Sequence, residues 1–112
     1  MSECLFCKMA TGEIQPTIVF EDANFLAFHD INPKTPVHVL VIPKTHVSYL
    51  SDLTDSQLAG QLLLTVVNVA KQLGLADDGY RTVINCKDNG GQTVYHLHVH
   101  ILGGRFMTWP PG

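Results

Sequence analysis

From His96 to Ile101 polar and apolar positions alternate without a break, His96, His98 and His100 against Leu97, Val99 and Ile101. A period of two is that of a strand, so residues 95–102 predict a strand with three imidazoles on one face and three aliphatic side chains on the other. A helix would scatter the imidazoles around its axis. Upstream, residues 4–10 read as a short helix ended by Gly12. Residues 17–21 and 25–29 form a hairpin around the turn Asp22-Ala23-Asn24. Residues 30–36 are a loop with two prolines, and residues 37–42 an apolar strand stopped by Pro43. Thr54 and Gln57 match a capping box. Leu58, Leu62, Val66, Val69 and Leu73 follow at helical spacing, and Gly74 closes that helix. Residues 80–85 predict a further strand and residues 87–93 a polar, glycine-rich loop. Five strands joined by hairpins, with one long and one short helix, imply an α+β fold on a mostly antiparallel sheet.

The chain has 112 residues, which fits one domain over 1–112, and its 46% hydrophobic content is enough for a sizeable core. The formal net charge is −3 and no basic run is present, which argues against nucleic acid as a partner. No apolar run reaches the length of a membrane span, and Met1-Ser2-Glu3-Cys4 does not read as a signal peptide. The cytoplasm is the expected location. Three cysteines in that compartment do not make a disulfide framework. Cys86, in an apolar stretch, reads as a small buried thiol. Cys4 and Cys7 form a C-x-x-C pair, but the βαβ setting of a redox pair is missing.

Charging three adjacent imidazoles is repulsive, so the ridge should be largely neutral near pH 7, with lone pairs free to attack, to accept a proton or to bind a metal. The plain alternative is a solvated strand face. Gly90-Gly91 before the strand and Gly103-Gly104 after it allow backbone to approach a ligand closely. Trp109, beside two prolines near the end of the chain, has the character of an interface residue.

His96-Leu97-His98-Val99-His100-Ile101-Leu102 resembles the histidine triad motif. Phe28-His29-Asp30-Ile31, residues 38–44, Gly90-Gly91-Gln92-Thr93-Val94-Tyr95 and Trp109-Pro110-Pro111-Gly112 resemble the nucleotide-binding branch of that family, which hydrolyses nucleoside phosphoramidates. The resemblance implies a small α+β domain that pairs into a homodimer. It implies His98 as nucleophile, with a nucleotidyl-histidine intermediate and release of AMP or GMP and an amine. One ring nitrogen of His98 must then attack while the other donates a hydrogen bond, most simply to a backbone carbonyl. His38, His96 and His100 would complete the catalytic set, with Thr93 near the leaving group. Gly91, Gln92 and Thr93 match a phosphate cradle, Asp30 a ribose-binding acid, and Asn85 a phosphate or ribose contact. Leu5, Phe6, Met9, Phe28, His29 and Ile31 match a purine pocket. Related members join a cysteine pair to two histidines around zinc, which here implies Cys4, Cys7, His46 and His96 as a closed, structural site. A dinucleoside polyphosphate hydrolase and a nucleotide-binding adaptor are the alternative functions.

Overall fold

The computed structural model describes residues 4–112; Met1-Ser2-Glu3, read above as no signal peptide, lies outside the described residues. Among the described residues nine elements follow one another: α1 (Leu5–Ala10), β1 (Ile18–Glu21), β2 (Phe25–His29), β3 (Val37–Pro43), a 3-10 turn (Leu50–Asp52), α2 (Ser56–Gln72), β4 (Arg81–Val83), α3 (Lys87–Gly90) and β5 (Val99–Gly103). The strands make one five-stranded sheet in the order β1-β2-β3-β5-β4, with every neighbouring pair antiparallel. The α+β class and the five antiparallel strands are as expected. Among the described residues there are three α-helices rather than two, because residues 87–90 of the expected loop wind into α3.

Both faces of the sheet are covered. Ala27, Val39, Val41, Val99 and Ile101 pack with Leu62, Val66, Val69 and Ala70 of α2. Leu26, Phe28, Leu40 and Ile42 point the other way, onto Phe6 of α1. A strand buried on both faces loses polar alternation, which is why β3 reads as one apolar run. The triad histidines and His38 lie on the α1 side. Leu40 pairs with His100 and His38 with Leu102, so His38 and His100 are diagonal neighbours on that face.

Several boundaries differ from expectation for definite physical reasons. The ladder of β5 begins at Val99, so His96 and His98 precede the strand. Pro43 has no N–H with which to extend the pairing, its carbonyl is occupied by His96, and Leu97 N–H turns to Val47 O at 2.6 Å. The side-chain alternation nonetheless persists, since Leu97 belongs to the α2-side core. The cap of α2 is Asp55, whose carboxylate accepts from Gln57 N and Leu58 N, and not Thr54. Cys4 is the cap of α1, its sulfur accepting from Cys7 N–H at 3.2 Å. The strand expected over residues 80–85 is confined to Arg81–Val83. Cys86 is half-buried at the cap of α3, with Sγ 3.2 Å from Ser51 Oγ, rather than a buried strand thiol. That hydrogen bond lowers its pKa below the ordinary value.

Candidate active site and metal centre

Two clusters of ring nitrogens occupy the α1 side of the sheet, with His96 and His98, two residues apart in the chain, divided between them. In the first, Nδ1 of His96 lies 3.3 Å from Cys4 Sγ and 3.5 Å from Cys7 Sγ. Nδ1 of His46 lies 3.5 and 3.2 Å from the same sulfurs, and the two Nδ1 atoms are 3.2 Å apart. A tetrahedral ion with bonds near ~2.0 Å to nitrogen and ~2.3 Å to sulfur holds its ligands roughly 3.3 Å (N–N) and roughly 3.5 Å (N–S) apart. The four side chains therefore fit a closed zinc site. The tautomer of His96 fits as well. Its Nε2 is 2.7 Å from Pro43 O, which can only accept, so Nε2 carries the proton and the Nδ1 lone pair faces the cluster. Without a cation, burial and the neighbouring Cys4 push the Cys7 thiol up to about 11, and metal binding has to displace that proton.

The second cluster lines a cleft of about 580 Å³ between α1, the end of β2 and β5. His98 is 5% exposed. Its Nδ1–H donates to His96 O at 2.7 Å, which leaves the Nε2 lone pair unprotonated. His38 Nδ1 accepts from Lys34 N–H at 3.0 Å, so its proton sits on Nε2. That Nε2–H donates to His100 Nδ1 at 2.9 Å, with Asp30 Oδ2 3.4 Å away. His100 must then carry its own proton on Nε2. The outcome is a chain of neutral imidazoles, one presenting a lone pair and the next a donor. Burial is the main reason they are neutral. It lowers His96, His98 and His38, and with the neighbouring His98 and His38 it takes His100 down to about 4. Mutual repulsion, the cause expected from the sequence, is secondary. Asp30, His38 and His100 are also close enough to hold a metal. The amide of Lys34 opposes it, because a metal on His38 Nε2 would force a proton onto Nδ1, against another donor.

Leu5, Phe6, Met9, Phe28, His29, Asp30, Ile31, Thr93, His98 and His100 all line the cleft. His38 adjoins it through His100. Gly91, Gln92 and Asn85 are not among the lining residues. Gly91 N–H and Gln92 N–H are taken by Asp88 O and Lys87 O, where they close α3. The side chain of Gln92 is buried and bonds Lys87 N–H, Ser48 O and Val94 O. Of the expected phosphate cradle, Thr93 N–H is the one left without a partner among the described residues. Sequence reasoning missed Ile14, Gln15, Pro16, Thr17, Leu40 and Val94 on the cleft wall. Leu40 was within reach, two residues from His38 on the same strand face.

The model of the HIT domain matches residues 11–107. The chain belongs to the HIT family. Among HIT relatives, a 14 kDa zinc-binding protein of Zea mays is 49% identical over 99% of this chain and 89% of its own length. A protein named adenylylsulfatase HINT1, of Arabidopsis thaliana, is 49% identical over 99% of this chain and 78% of its own. The crystal structure of a HIT family hydrolase from Legionella pneumophila superposes with a TM-score of 0.95 at 53% identity, covering 98% of this chain and all of the other. Among the described residues no helix is long and apolar enough to cross a membrane.

Proposed function

We propose that this HIT protein is a purine nucleoside phosphoramidase, one domain over residues 1–112, acting in the cytoplasm as a homodimer. The observation that carries the reading is the hydrogen bond from His98 Nδ1–H to His96 O. It fixes the tautomer whose Nε2 lone pair can attack phosphorus. In the first step His98 Nε2 bonds the α-phosphorus of an adenosine or guanosine 5′-phosphoramidate. The P–N bond breaks, and the departing nitrogen takes a proton from solvent, which the attacking water of the second step returns, and leaves as an amine. In the second step water attacks phosphorus, the P–Nε2 bond breaks, and AMP or GMP is freed. His100 Nε2–H and Thr93 N–H are the donors suited to the phosphoryl oxygens. His38 holds the His100 tautomer, and the Thr93 hydroxyl stands near the leaving group. Asp30 meets the ribose, while Phe6, Phe28, His29 and Ile31 enclose the base. Cys4, Cys7, His46 and His96 hold zinc, which ties α1 to the loop after β3 and to the triad and takes no part in the reaction.

The adenylylsulfatase relative favours a second substrate of the same attack, an adenylyl sulfate from which sulfate leaves in place of an amine. The test is release of AMP by wild type and His98→Ala from adenosine 5′-phosphoramidate, adenylyl sulfate and a diadenosine polyphosphate. The expected result is turnover of the phosphoramidate that falls by about 10³-fold or more in the variant. An unchanged rate in His98→Ala overturns the mechanism. Preference for the polyphosphate moves the protein to the dinucleoside polyphosphate hydrolases. Binding of AMP with no turnover of any substrate makes it an adaptor.

A further inference from the structure

The two clusters are joined at two places. One is His96, whose ring belongs to the metal centre and whose carbonyl oxygen holds the His98 proton. The other is α1. This helix has six residues, too few to persist without tertiary support. Its one buried residue is Phe6. The Phe6 ring stands at 90° to His98, 5.2 Å between centroids, and edge-on to His96 at 5.9 Å and to Phe28 at 5.4 Å. Cys4 and Cys7 bracket it, one capping the helix and the other a turn further on. Leu5, Phe6 and Met9 are also one wall of the cleft. The residues that would hold the metal therefore also hold the wall.

We infer that the metal centre is a clamp on α1: with zinc bound, Phe6 is pressed against the His98 ring and the cleft has its full affinity for nucleotide. Phe6 is a positioning residue for His98. The inference rests on reading the cleft as a nucleotide site and the four-ligand cluster as a zinc site. The physical reason is the shape of the cluster. Two imidazole nitrogens and two thiols drawn to 3.2–3.5 Å are tied strongly only by a cation at their centre. Without it α1 keeps a single buried side chain as anchor, and the Leu5-Phe6-Met9 wall frays with it. Coupling of this kind is reciprocal, so AMP must tighten zinc by the factor by which zinc tightens AMP.

The experiment uses the full chain, zinc-loaded and chelator-stripped, with zinc content measured and folding followed by far-ultraviolet circular dichroism. AMP affinity is measured by calorimetry in both forms, and zinc affinity with and without AMP. The proximity of the Phe6 and His98 rings is read by nuclear Overhauser cross-peaks. The expected result is a folded stripped chain that binds AMP about tenfold or more weakly and has lost the ring cross-peak, with AMP raising zinc affinity by the same factor. A folded stripped chain with wild-type AMP affinity and an intact cross-peak overturns the clamp. A chain that takes up no zinc overturns both the metal reading and the clamp. If the zinc-loaded chain binds no AMP, the nucleotide reading fails, and the cross-peak alone judges the clamp.

Should the stripped chain unfold, zinc-loaded Phe6→Leu gives the answer. It is expected to keep one zinc per chain, to lose AMP affinity and to show faster exchange of the His98 Nδ1 proton, with Phe6→Tyr restoring both. Wild-type AMP affinity and exchange in Phe6→Leu overturn the clamp.

Discussion

His100 shows at the scale of one residue how burial sets chemistry. It takes no second proton because burial disfavours the charged ring, and its Nδ1 is already occupied by His38. The folded pKa of about 4 lies below the ordinary histidine value. Between those two pH values the unfolded chain therefore binds more protons than the folded one, and stability rises with pH. The stabilising difference is complete above about pH 6.5 and is lost as pH falls toward 4. Urea unfolding from pH 7 to 4 should accordingly show a falling midpoint that is shallower in His100→Gln, which cannot titrate. Equal slopes in the two proteins would mean that His100 is not buried neutral. Gln92 makes the opposite point. It reads in the sequence as a ligand residue, yet its three hydrogen bonds are all internal. At about 1 kcal/mol per bond, Gln92→Ala should cost roughly 2–4 kcal/mol of stability, measured by the same unfolding experiment, with far smaller direct effect on the chemistry at His98.

At the scale of the element, the cap of α2 separates two readings of one short stretch. Thr54 and Asp55 both suit an N-cap, and the Thr54–Gln57 spacing favours the first. The carboxylate prevails because it satisfies two N–H groups, those of Gln57 and Leu58, and also gains from the positive end of the helix. Asp55→Ala should cost about 1 kcal/mol and Thr54→Ala less than about 0.5 kcal/mol, read as shifts in the denaturation midpoint. The reverse order would restore the capping box. The same stretch shows how much of the fold is legible in the sequence. Periodicity finds elements because it reports which face is buried, so all five strands and α2 stand out. It does not report where hydrogen-bonded partners end. The triad looks like strand throughout, yet the ladder stops at Val99 because its partner β3 runs into Pro43. Likewise α3 is four residues of polar sequence, whose first N–H is held by the Gln92 side chain from outside the helix. In the site, residue types and spacing place the histidines and the cysteine pair. The direction of each proton depends on the amide of Lys34 and the carbonyls of Pro43 and His96, which are backbone atoms with no signature in the sequence.

On the whole molecule, α2 carries a second apolar face that the sheet does not use. Leu58, Leu62, Val66 and Val69 turn inward, and the core stripe accounts for them. Gly60, Leu63, Leu64 and Val67 follow the i, i+3, i+4, i+7 spacing on the other side and face outward, with Leu63 55%, Leu64 65% and Val67 39% exposed. Scattered exposed leucines need no explanation, but a contiguous helical stripe does. The sheet ends at β4, whose outer edge has no partner strand among the described residues, and an open edge is a template for pairing. A helix face and a strand edge are what a two-fold pairing of sheets side by side requires, since the same patch must serve both copies. The expectation is that the 12.3 kDa chain sediments as a dimer at micromolar concentration and that Leu64→Glu sediments as a monomer. Leu64 lies outside the core, so the variant should keep its far-ultraviolet spectrum and lose little intrinsic stability. A wild-type monomer at that concentration removes the homodimer from the proposed function. A Leu64→Glu dimer places the contact elsewhere, and Val83→Glu on the β4 edge then shows whether the strand alone carries it.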